Sequence, residues 1–261
     1  MKSNISKKWL VLRHGIDKYL YKNFEIFSPS SAGNPDILGF HTAKSITLTF
    51  PLLKQLLNNL KLNQKLIGAK EFCQEHGKIN EASKLKYFFD LYGSDKSSIH
   101  NYHLVYGALF NDPKKIKAIF EIGLGTNNID VLSNMGTSGK PGASVKALRD
   151  YFKNSYVYGA DIDKRILFKD KRIKTYYADQ GHQNSIDKVL KKINRKFDLI
   201  IDDGLHAPYT NLNTLISSLK YLNKNGYLII EDIPFRSQSI WEIVNFILNK
   251  KYKTNLIKMK N

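Results

Sequence analysis

Cysteine is nearly absent: the 261 residues hold one, Cys73. A lone thiol excludes a disulfide framework and any cysteine-ligated zinc or iron–sulfur centre. Long apolar runs are missing as well. No stretch approaches the ~20 residues of a membrane span. The opening MKSNISKKWLVLRHG has too short an apolar run for a secretory leader, so a soluble, cytoplasmic protein is expected. Acids are scarce, with 23 Asp+Glu against 41 Lys+Arg and a formal charge of +18. Such a balance ordinarily suggests a polyanionic partner. Here lysine is interleaved with Asn and Ile, as in KVLKKINRK and ILNKKYKTNLIKMKN, which reads as a coding bias spread over solvated faces. Nucleic acid is therefore not the expected partner.

No internal repeat is visible. Residues 1–43 carry little periodicity, and SPSSAGNPDILGFH is turn-rich. FPLLKQLLNNLKLNQKLIGAKEFCQEH has helical spacing, with Pro51 suited to a first turn. NEASKLKYFFDLY forms a second helical run capped by Asn80. Residues 1–90 are expected to be a mostly helical extension serving as a lid or an oligomer contact, with a homo-oligomer in view. Behind it, strand and helix patterns alternate: KAIFEIGLG, GASVKALRDYF, SYVYGADID, IKTYYADQ, SIDKVLKKI, FDLIIDD, YTNLNTLISSLKYL, GYLIIEDI and SQSIWEIVNFILNK, with KTNLIKMKN as a last strand. That alternation predicts an α/β domain over 91–261, a Rossmann-like, doubly wound, mostly parallel sheet. Ligands of such sheets bind at the carboxyl ends of the strands.

Chemistry-bearing residues sit at those ends. FEIGLGTNN places Glu121, Gly123 and Gly125 where a strand turns sharply and backbone can approach a ligand. Asn128 stands where a dinucleotide fingerprint has its third glycine, and no Gly-Lys-Ser/Thr clamps a phosphate, so a cofactor without a pyrophosphate fits better than NAD. A plain tight turn is the alternative. Asp161 is suited to ribose hydroxyls, and the long loop before it, TNNIDVLSNMGTSGKPG, suggests function or mobility. Asp179 and Gln180 offer an acceptor and an amide to an adenine edge. IIDDGLH supplies Asp202, Asp203 and His206, and LIIEDI supplies Glu231 and Asp232. Carboxylates so crowded repel one another unless a cation neutralises them, and hard oxygen donors suit Mg²⁺. His206 would then accept a proton, or serve as a ligand itself. Caps or surface charges are the alternative for these acids. The other histidines (His14, His41, His76, His100, His103 and His182) are expected in surface or capping roles, Trp9 and Trp241 in packing, and Cys73 as a small buried hydrophobe.

Taken in order, FEIGLG, GASVKALRDYF, VYGADID, YYADQ, FDLIIDDGLH and GYLIIEDI resemble a class I S-adenosylmethionine-dependent methyltransferase. More narrowly, they are similar to the metal-dependent sugar O-methyltransferases that include the macrolide (mycinamicin-type) enzymes. LYGSDKSSIHNYHLVYGALF extends the likeness with Ser94 in place of that family's Thr, so it runs from about Leu91 to Ile233. The resemblance implies S-adenosylmethionine with Mg²⁺ or another divalent cation. Asp203, Glu231 and Asp232 would hold the metal, with His206 as general base. Glu121, Gly123 and Gly125 would border the methionine and ribose, Asp161 would take the ribose hydroxyls, and Asp179, Gln180 and Asp202 would lie near the adenine. Lys96 and Tyr102 would close the cofactor pocket. Residues before about Leu91 match nothing, and one final strand stands where class I enzymes usually have two. The acceptor implied is a sugar or sugar-like small molecule or glycan precursor. The basic charge suggests an anionic one, such as a surface-polysaccharide precursor or a phosphoramidate intermediate. An RNA methyltransferase follows from charge alone and lacks an Asn/Asp-Pro-Pro-aromatic tetrad. A non-catalytic nucleotide-binding module is the remaining alternative.

Overall fold

A computed structural model describes residues 12, 15–30, 34–62, 66–110 and 112–259; Trp9 and His14 lie outside them. The chain forms two units, Met1–Gln64 with Gln238–Thr254, and Lys65–Ser237 with Asn255–Asn261. In the first, α1 (Pro35–Asn59) packs on the helix Gln238–Leu248, and Lys54 Nζ lies 2.9 Å from Glu242. The sequence reading started this helix near Pro51, but Pro51 lies inside it. Pro35 takes the first-turn place, where a missing N–H costs nothing. Hydroxyls of Thr42, Thr47 and Thr49 donate back to the carbonyls of Leu38, Ala43 and Ser45 along it.

The second unit begins with β1 (Ile67–Gly68), α2 (Ala69–Glu75), α3 (Ile79–Tyr92), α4 (Asp95–Ser98) and α5 (Tyr102–Leu109). The single run read between Pro51 and His76 is thus broken, and Lys78 rather than Asn80 precedes α3. Next come β2 (Ala118–Ile122), α6 (Ala143–Tyr151), β3 (Tyr156–Asp161), β4 (Lys169–Asp170) and β5 (Ile173–Tyr177). α7 (Gln183–Ile193), β6 (Phe197–Asp202), α8 (Pro208–Leu219) and β7 (Leu222–Ile230) complete the alternation. The six-stranded sheet has the order β4-β5-β3-β2-β6-β7. All its pairings are parallel except that of the short edge strand β4, which the sequence reading missed. Strand order reverses about β2, so the crevice at the carboxyl ends of β2 and β6 is the natural ligand site. The last strand, β8 (Ile257–Lys258), pairs with β1 and not with this sheet.

The boundary expected at residue 90 falls within a continuous core. Leu85 and Phe89 of α3 are buried with Tyr106, Leu148 and Phe152, so α3 packs with the sheet unit. Strand alternation then decides where each acid points. Ile119, Leu199, Ile201 and Ile229 face that cluster, whereas Phe120, Ile122, Ile200 and Leu228 face the opposite one around Ile186 and Leu190. Glu121 continues the row of Ile119, and Glu231 that of Ile229. Asp202 continues the row of Ile200, away from both.

Candidate active site

A cavity of about 660 Å³ opens at the carboxyl ends of β2, β3, β6 and β7, a size ordinary for cofactor sites. Gly123, Gly125, Asp161, Lys96, Tyr102, Asp203, His206, Glu231 and Asp232 all line it. Gly123 (φ +92°) is forced: a Cβ there would lie 2.0 Å from the Asp203 carbonyl oxygen. The loop after β2 therefore runs against the loop after β6. Asp161 supports it, Oδ2 accepting from Leu124 N at 2.7 Å and Oδ1 from Asp163 N at 2.8 Å. Burial pushes the Asp161 carboxyl up, against the pull of the backbone N–H groups of Asp163, Leu124 and Gly125.

Asp163, which the sequence reading passed over, pins the far side of the same loop. It accepts from Thr126 Oγ1 and Asn128 Nδ2, both at 2.6 Å, and from Arg165 Nε at 2.7 Å. The Arg165 guanidinium, aided by Thr126 and Asn128, holds its carboxyl well below the usual range. Ser133, Asn134 and Met135 of this loop form part of the cavity wall.

The acidic end has two layers. In the outer one, Asp203, His206 and Asp232 present ligand atoms within 4.8 Å of one another. His206 Nε2 stands 3.9 Å from Asp203 Oδ1 and 4.0 Å from Asp232 Oδ2. His206 Nδ1 is buried without a hydrogen-bond partner among the described residues. Both His206 (φ +56°) and Asp232 (φ +49°) adopt left-handed backbone, which costs about 1–3 kcal/mol per non-glycine residue and clusters at functional sites. His100 stacks on Tyr102 and approaches Asp232 Oδ1 to 3.5 Å, so it is more than a surface histidine.

The inner layer is built on Lys96, only 2% exposed. Its ammonium lies 2.6 Å from Asp203 Oδ2, 2.5 Å from Glu231 Oε2 and 3.5 Å from Glu121 Oε1. Burial pulls Lys96 down, yet the carboxylates of Asp203, Glu231 and Glu121 hold it well above its ordinary value. Glu121, whose Oε2 accepts from Ser144 Oγ at 2.9 Å, is pushed by burial up to about 7. Tyr106 donates to Glu231 Oε1, and Tyr102 OH donates to Asp232 Oδ1 at 2.7 Å. The two tyrosines stand one helical turn apart on α5 and reach two successive acids; their i, i+4 spacing was the signal for Tyr106. Asp203 and Asp232 each spend one oxygen on a fixed inner donor and turn the other toward His206. That outer pair of oxygens fits a hard divalent cation.

Four sequence candidates are not part of the cavity lining: Glu121, which lies beneath it against Lys96, and Asp179, Gln180 and Asp202. Gln180 Nε2 donates to Asp202 Oδ1 at 2.6 Å and Gln180 Oε1 accepts from Leu205 N at 2.9 Å, so this pair braces the loop that carries His206. Burial pushes the Asp202 carboxyl up. Asp179 accepts from Gly181 N and contacts His182 Nδ1, each at 2.8 Å, at the start of α7.

No family model matches the chain. It is 28% identical over 142 residues to the 8-demethyl-8-alpha-L-rhamnosyl tetracenomycin-C 2′-O-methyltransferase of Streptomyces olivaceus, covering 54% of this chain and 35% of that protein. It is 26% identical over 92 residues to the mycinamicin VI 2″-O-methyltransferase of Micromonospora griseorubida, covering 35% and 23%. The chain thus spans about a third or less of the length of these curated relatives. Among solved structures it is similar to the MycE methyltransferase of the mycinamycin biosynthetic pathway in complex with Mg and SAH. There the identity is 23%, the TM-score 0.49, and the coverage 57% of this chain and 39% of that one. The resemblance to sugar O-methyltransferases read from the motifs is therefore found in the curated relatives as well.

Proposed function

We propose that this chain is an S-adenosylmethionine-dependent, divalent-metal-assisted O-methyltransferase that acts on a sugar hydroxyl. One observation carries the reading: the Gly123–Gly125 turn and Asp161 share a cavity with Asp203, His206 and Asp232. Asp161 and the glycine turn would hold the nucleoside, and Asp203 Oδ1 and Asp232 Oδ2 the cation. When bound, the cofactor would supply an electrophilic methyl carbon and the cation would make a neighbouring hydroxyl more acidic. Direct transfer then needs in-line placement above all. His206 Nε2, 3.9 and 4.0 Å from those two carboxylate oxygens, would stand beside the cation and take the acceptor proton as the new C–O bond forms. The acceptor would then carry the methyl group and His206 the proton.

The named substrates of the two relatives, a rhamnosyl tetracenomycin and mycinamicin VI, favour a sugar on a small molecule. The anionic polysaccharide precursor rests on net charge alone and gains no support from them. Incubation with methyl-labelled cofactor and a panel of glycosides tests the reading. A methyl ether on a sugar hydroxyl, lost on chelation and restored by Mg²⁺, is expected. Failure of S-adenosylhomocysteine to bind in calorimetry would leave only a nucleotide-binding module. Asp203→Asn should weaken Mn²⁺ binding at least as much as the roughly 10–100-fold typical of second-sphere losses, as read by electron paramagnetic resonance.

Asp163→Asn should act on the cofactor loop rather than on chemistry. Amides of residues 126–142 would exchange faster, and S-adenosylhomocysteine affinity would fall about tenfold (a change near 1.4 kcal/mol in binding). Because the Asp163 carboxyl titrates below its unfolded range, the support it gives is present at neutral pH. It is lost as pH falls through the depressed folded value. In the variant, the loop's exchange rates should lose that acid dependence.

A further inference from the structure

We infer that Lys96 is a built-in placeholder for the divalent cation: its ammonium bridges Asp203 and Glu231 and gives them up when the metal enters. The inference rests on the metal-assisted reading above. Glu231 belongs to the donor set that the sequence resemblance implies, yet both its oxygens are occupied, one by Lys96 at 2.5 Å and one by Tyr106. Asp203 is divided, with Oδ2 on Lys96 at 2.6 Å and Oδ1 toward His206. A cation that recruits Glu231 must therefore compete with an ammonium already seated between two of its ligands.

The crowding of oxygen donors favours the exchange. Glu121, Asp203 and Glu231 surround one lysine, and Asp232 stands close outside. Four carboxyl groups thus crowd around a single ammonium, and a divalent ion brings the coordination capacity to take over several of their oxygens at once. When displaced, the lysine still has Glu121, now at 3.5 Å, to turn to. It also lies 5.6 Å from the centre of the Tyr102 ring, a ready cation–π partner. Lys96 is thereby a positioning residue, keeping mutually repelling acids at their posts until the metal arrives.

The test uses the full chain and Mn²⁺ as probe. Lys96→Met removes the competitor, so Mn²⁺ should bind about tenfold tighter or better (at least ~1.4 kcal/mol), and Mn²⁺ should raise the melting temperature more than in the parent. A purely structural lysine predicts the opposite, weaker binding or none. Unchanged or weaker Mn²⁺ affinity in a folded variant overturns the inference. Should the variant fail to fold, the parent protein answers through its lysine side-chain ¹⁵N spectrum. The buried Lys96 ammonium should give a protected signal without metal that shifts or vanishes as Mg²⁺ saturates the site. A signal unmoved at saturation overturns the inference. If the parent binds no Mn²⁺ at all, the metal-assisted reading itself fails.

Discussion

His206→Ala is expected to lower kcat by ~10²–10⁴, the usual worth of a positioned general base, while S-adenosylhomocysteine affinity stays within about threefold. The site separates those two effects. His206 Nε2 faces the outer oxygens of Asp203 and Asp232, whereas Asp161 ends β3 and the Gly123–Gly125 turn follows β2. Alanine inherits the same left-handed backbone (φ +56°), so the fold is taxed little beyond the parent. The Mn²⁺ dissociation constant decides between proton acceptor and ligand. A base leaves it nearly unchanged, while loss of a ligand weakens it together with turnover. Wild-type turnover in the variant would remove His206 from the chemistry.

Gly123→Ala should be strongly damaging. Two independent costs apply. A non-glycine residue at φ +92° costs about 1–3 kcal/mol. The added carbon would meet backbone atoms of Asp203 and Gly204 at 2.0–2.8 Å, and overpacking of that kind costs about 1–3 kcal/mol more. Destabilisation of about 3 kcal/mol lowers the melting temperature by roughly 6–12 °C for a domain of this size. Whatever fraction folds must shift Asp203, so Mn²⁺ affinity should fall along with stability. Gly125→Ala is the comparison: it shares the positive-φ cost (φ +73°), but the atoms nearest its Cβ belong to the flexible Met135 side chain, so Asp203 and metal binding should be spared. A Gly123→Ala protein with unaltered melting and Mn²⁺ affinity would contradict the close approach.

The sheet was legible because buried parallel strands read as apolar runs, and FDLIID and YLII announce themselves. Their carboxyl ends delivered Asp161, Asp203, His206 and Asp232 to one cavity. Residue alternation, applied to DD after LII, would also have turned Asp202 away from Asp203, with Gln180 following it behind the loop. Other features were hidden for physical reasons. Pro51 looks like a helix start, but a helix already formed from Pro35 tolerates it. β8 has strand composition, yet a two-residue pairing with β1 cannot be told from a sheet edge by pattern. The seat of Lys96 is set by tertiary packing alone, since no local rule links a lysine before α5 to acids after β6 and β7.

That seat also constrains assembly. The partners of Lys96 lie 107 and 135 positions further along the chain. Such distant pairings are slow to form, because the intervening chain must be ordered first. During synthesis, β2 and β6 emerge before Glu231, and until it arrives the buried ammonium has only Glu121 and Asp203 for company. Chains stalled between residues 205 and 230 should therefore be far more sensitive to protease than the released protein.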